Sequence, residues 1–250
     1  IQNSDGSFHL KNIIFARKCI EMIRDDLLKL RDENYKLFVA KLIPNIASEK
    51  IIGIRTPVLR KYAKQIHATT QAEEFMANLP HDYFEEDNLH TFLVEQITDY
   101  DKCIKETERI LPHIDNWASC DSFNPRCFKS NIDKLITSVR KWILSPRVYE
   151  CRFGMLNLMR YYLEDEVFKE EYFEWVLNVE GKDYYIKMMQ AWYFATALTK
   201  QYESAYAFIS KQRLDAWTHN KAIQKAKESL RISRERKSEL EKLKIKKVTR

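Results

Sequence analysis

A chain of 250 residues, 45% of them hydrophobic, can bury a sizeable core as one domain or one continuous array. Only 4 glycines and 6 prolines interrupt it, too few for the many turns of an all-β protein of this length. The net charge of +6 is unevenly placed, since residues 221–250 hold 12 Lys and Arg against 4 Asp and Glu; such a basic end suits a polyanion, usually a nucleic-acid backbone, or else a solvated helix braced by pairs such as Glu241 and Lys244.

Along the chain, residues 1–8 read as a disordered leader. Helical periodicity follows. Ile13, Ala16, Ile20, Ile23, Leu27 and Leu30 mark one face, and Tyr35, Phe38, Leu42 and Ile43 begin the next. The segment Gly53-Ile54-Arg55-Thr56-Pro57-Val58-Leu59-Arg60 is the clearest punctuation. Gly53 can take the left-handed conformation that ends a helix, Thr56 can N-cap the next, and Pro57 fits its first position. Further helical stretches run over 128–142, 148–162, 167–177, 184–199 and 204–209, with short polar connectors. A series of antiparallel helix pairs at about 40 residues each predicts an all-α solenoid of about six HEAT-like units over residues 9–230, followed by a basic helix or tail at 231–250. A compact irregular helical bundle is the alternative.

The 5 cysteines form no C-x-x-C pair and read as reduced, packed thiols. With no apolar run near 18 residues, a soluble cytoplasmic protein without membrane association is expected. The glycines are too scattered for a P-loop or G-x-G-x-x-G. The 6 histidines lack ligand spacing, and no nucleophile elbow occurs. Nothing points to a metal or a cofactor.

Three segments remain. In Trp117-Ala118-Ser119-Cys120-Asp121-Ser122, an indole and a carboxylate four apart share one side of a helical turn. Arg152 opens an apolar helix, and Trp192 sits in Lys187-Met188-Met189-Gln190-Ala191-Trp192-Tyr193. Asp121, Arg152 and Trp192 recur at about one repeat, so a solenoid could line one concave wall with them. Each also has a plainer reading. Asp121 or Ser122 could N-cap the next helix, the tryptophans could be core or rim packing, and Arg152 a surface ion pair.

Together with Gly53-Ile54-Arg55-Thr56-Pro57-x-Leu59-Arg60, these segments resemble the AlkD-like DNA alkylation repair proteins, in the same order and over residues 10–230. The resemblance implies a HEAT-like repeat glycosylase with a concave DNA-binding face. Such an enzyme removes N3- and N7-alkylated purines from double-stranded DNA as a monomer, without metal or cofactor. It further implies Asp121 as the catalytic carboxylate, Trp117 and Trp192 as aromatic walls beside the damaged nucleotide, and Arg152 as a phosphate ligand. Asn116 stands where the family often has a second aromatic. Two other uses of a helical array stay open: a non-catalytic binder of bent or branched DNA, and a protein-binding scaffold.

Overall fold

The computed structural model describes residues 4–181 and 183–246, with side chains from Ile13 onward. Residues 1–3 of the expected leader and residues 247–250 of the basic end lie outside them, as does Lys182 of one connector. The described residues are all-α. By compactness the chain divides into two units, Ile1–Ser130 and Asn131–Arg250.

In the first unit the helices are α1 (Ser4–Lys29), α2 (Glu33–Leu42), α3 (Thr56–Ile66), α4 (Thr70–Ala77), α5 (Phe84–Val94), α6 (Tyr100–Ile110) and α7 (Trp117–Ser122). Helix α5 is central: α3, α4, α6 and α7 all pack on it. Its composition reflects this, because even its acidic residues Glu85 and Glu86 are fully buried. Buried carboxylates need partners, and these have them. Glu86 receives Arg24 Nε of α1 at 2.7 Å and reaches back to the Asp82 and Tyr83 amides at 3.0 and 3.2 Å, satisfying the first turn of its own helix. Glu85 accepts three successive amides, Ile52 (2.8 Å), Gly53 (2.7 Å) and Ile54 (3.2 Å).

Those three hydrogen bonds fix the Gly53 segment, where two details differ from the sequence reading. Gly53 does adopt a positive φ of +96°, but it lies in an irregular segment ahead of α3 rather than at a helix end. It needs the glycine because a Cβ there would sit 2.6 Å from the Asp32 carbonyl oxygen and from Lys36 Cβ. The N-cap of α3 is Arg55, with Thr56 the first helical residue. Thr56 is shifted inward by one because Arg55 takes the extended conformation while its side chain pairs with Asp32 at 2.9 Å.

The second unit contains α8 (Ile132–Ile143), α9 (Val148–Tyr161), α10 (Glu171–Leu177), α11 (Tyr184–Lys200), α12 (Tyr202–Ser210), α13 (Ala216–Glu228) and α14 (Arg234–Lys242). Alternate helices pack side by side, α9 on α11 and α11 on α13, while α8, α12 and α14 back them in turn. This stepwise order is solenoid-like, as helices joined by short connectors produce it. Helices α8 and α9 approach closely at Gly154, where a Cβ would meet the Ile143 amide nitrogen at 2.6 Å. All five cysteines are buried thiols. Among the described residues no helix is long and apolar enough to cross a membrane.

Candidate active site

Helix α7 carries both Trp117 and Asp121, one turn apart, as the spacing suggested. A six-residue helix has little intrinsic stability, so its ends are held from outside. At its N-terminus Asn116 is the cap, accepting the Ser119 amide at 2.9 Å and donating to the Ser119 hydroxyl at 3.0 Å. Asn116 is thus buried structural capping, and the position where the family often has an aromatic is filled by a cap. Trp117 donates its indole N–H to the Leu42 carbonyl at 3.0 Å. Half-buried, it packs on the Val39, Ile43 and Ile51 cluster beside Tyr35 and Phe84. Part of its surface therefore does serve packing, and part remains at the surface.

Asp121 is partly exposed on the last turn of α7. The N-cap alternative for Asp121 or Ser122 fails, because both lie inside α7, and the next element is a 3-10 turn beginning at Arg126. Ser122 instead donates its hydroxyl to the Ser119 carbonyl at 3.1 Å. Beyond α7, Arg60 of the Gly53 segment donates to the Ser122 carbonyl at 2.7 Å. Glu95, at the C-terminal end of α5, pairs with Arg60 and accepts the Asn124 amide at 2.8 Å. Burial pushes the Glu95 carboxyl up, and the Arg60 guanidinium pulls it back down. The sequence reading assigned Arg60 no role, and nothing in the sequence around Glu95 marked it.

In the second unit, Arg152 lies on α9 and Trp192 on α11, two helices packed against each other. Arg152 is buried rather than at the surface: it is 5% exposed, and its Nη1 donates to the Tyr185 carbonyl at 2.8 Å. Trp192 is 36% exposed, which excludes a core role. It borders a cleft of about 290 Å³ that Lys200, Lys225, Ser229 and Arg231 also line. Lys200 pairs with Glu164. Sequence reading had placed Lys225 and Arg231 only in a generally basic end; their convergence beside Trp192 needs the fold.

A partly buried group of titratable residues in the first unit, with Asp115 at its exposed edge, lies outside these positions. Asp87, Asp115, His81 and His113 line a cavity of about 320 Å³. Burial first, then the neighbouring Asp115 and Glu86 charges, pushes the Asp87 carboxyl up to about 8. His81 contacts His90 at 2.9 Å, and burial pushes His81 down to about 4. Among the described residues no group of three or more His, Cys, Asp or Glu side chains is arranged to hold a metal ion.

None of the curated proteins matches the chain closely enough to count as a relative. The family model described as DNA alkylation repair enzyme matches residues 23–226, a span that takes in the Gly53 segment, α7, α9 and α11. With most of its length matched, this chain belongs to the DNA alkylation repair enzyme family.

Proposed function

We propose that the protein is a DNA glycosylase that hydrolyses the N-glycosidic bond of cationic N3- or N7-alkylated purines in double-stranded DNA, using HEAT-like helix pairs as its DNA-binding surface. The observation that carries the reading is Asp121: a partly exposed carboxylate on a short helix held at both ends, one turn from Trp117. An alkylated purine already bears positive charge and leaves without protonation. The second carboxylate that glycosidases use as general acid is therefore unnecessary. As the C1′–N bond breaks, charge develops on the deoxyribose. A fixed carboxylate stabilises that oxocarbenium-like sugar and orients water for attack at C1′.

The other residues fit supporting parts. The indoles of Trp117 and Trp192 attract cations through their ring faces, which favours a charged lesion over a neutral base. The Arg152 guanidinium, buried with its Nη1 on the Tyr185 carbonyl, is proposed to hold a backbone phosphate through the part of its planar fork that this bond leaves over. Lys225 and Arg231 add positive potential beside Trp192. The test is release of free N7-methylguanine from a methylated duplex, followed by chromatography. Release establishes glycosylase activity. Tight, salt-dependent binding of the same duplex without release of this or a bulkier alkylated base points instead to a non-catalytic DNA binder.

A further inference from the structure

We infer that Arg60 and Glu95 are positioning residues for Asp121, forming a clamp between α5 and the C-terminal end of α7. The inference rests on the catalytic reading of Asp121, though the clamp itself can be measured apart from activity.

A helix end leaves its last carbonyls without intrahelical partners. In α7, Ser122 has one of these carbonyls, and the Arg60 guanidinium binds it at 2.7 Å. A cation there also complements the negative end of the helix dipole. Two residues on, the Asn124 amide donates to Glu95 Oε1 at 2.8 Å. The backbone one and three residues beyond Asp121 is thereby tied to one ion pair. That pair is itself fixed. The Glu95 side chain is 4% exposed, and the Arg60 guanidinium lies 3.9 Å from the Phe92 ring centroid. Arg60 in turn stands on α3, whose entry is set by Asp32, Arg55 and the Glu85 cradle of Gly53. The Gly53–Arg60 motif thus acts on α7 through Arg60, without needing to touch DNA.

Displacement of a reacting group by about 1 Å can cost on the order of 100-fold in rate. Arg60→Gln should therefore slow single-turnover base release by about 10- to 100-fold while the Kd for the duplex changes by less than about 3-fold. Arg60→Lys, which keeps a cation beside Glu95 but lacks the planar fork, should recover part of the rate. Hydrogen exchange at the amides of residues 121–124 should accelerate in Arg60→Gln at a concentration where thermal denaturation shows it folded. The double variant Arg60→Gln/Glu95→Gln removes the unpaired buried charge and should show the same faster exchange. Unchanged exchange and rate in folded variants would overturn the clamp. If the parent releases no base while exchange still responds, the glycosylase reading fails and the clamp stands as a structural tie of α7 alone.

Discussion

Gly53 and Asp87 show what single residues cost and control. With φ at +96° and no room for a Cβ against Asp32 and Lys36, Gly53→Ala should destabilise the protein by on the order of 2–4 kcal/mol. Denaturant titration reads this, and a loss below about 0.5 kcal/mol would contradict the close approach. Asp87 makes a pH-dependent claim. Unfolded, its carboxyl ionises near the ordinary 3.8; folded, it keeps its proton until about 8. Between those values the unfolded chain binds fewer protons, so raising the pH favours unfolding through this residue. The advantage of Asp87→Asn over the parent should therefore grow from pH 4 to pH 8, reaching on the order of 1–3 kcal/mol. A gap that stays constant across thermal melts at those pH values would show that Asp87 titrates normally. Residue identity alone revealed neither point fully. The need for glycine at position 53 was legible in its motif, while the Asp87 environment depends on which groups the fold brings around it.

At the scale of elements, α5 organises its unit through carboxylates rather than apolar residues alone. Glu85 is fully buried and accepts three amides. Glu85→Ala would strand three buried donors at once, and should cost about 3 kcal/mol or more. A melting temperature within a degree or two of the parent would remove Glu85 as the anchor of the Gly53 segment. Helix positions were the most readable part of the chain. The expected 148–162 and 184–199 stretches became Val148–Tyr161 and Tyr184–Lys200, because apolar spacing at 3.6 residues survives burial. The 167–177 stretch shortened to Glu171–Leu177, and 128–142 split into a 3-10 turn followed by α8. Local hydrogen bonding sets such ends, which periodicity does not register. The pairing of Trp117 with Asp121 was equally readable, since both lie within one turn. The support of α7 by Arg60 and Glu95 was not, because those residues are separated from it by up to 62 positions.

For the whole molecule, several cations of the basic end are already engaged in ion pairs. Lys227 and Lys244 pair with Glu241, and Arg236 pairs with Glu203. Helix α14 is also tied into its unit by buried Leu240 and by the Tyr202 hydroxyl, which donates to Glu239 at 2.8 Å. Electrostatic attraction to DNA should then depend on particular cations rather than on total charge. Replacing Lys225 and Arg231 with Gln should flatten the plot of log affinity against log salt by about one to two, at about 0.9 for each phosphate no longer neutralised. An unaltered slope would take the Trp192 cleft out of the DNA-binding surface.

The Asp121 carboxylate is proposed to stabilise the developing charge as the glycosidic bond breaks. Single-turnover release of N7-methylguanine by the parent and by Asp121→Asn, with duplex affinity measured in parallel, tests it most directly. Loss of about 100-fold or more in rate with affinity nearly unchanged is the expected result, matching a group that acts in the transition state. Undiminished release by the variant would contradict the assignment and place the chemistry elsewhere in the chain.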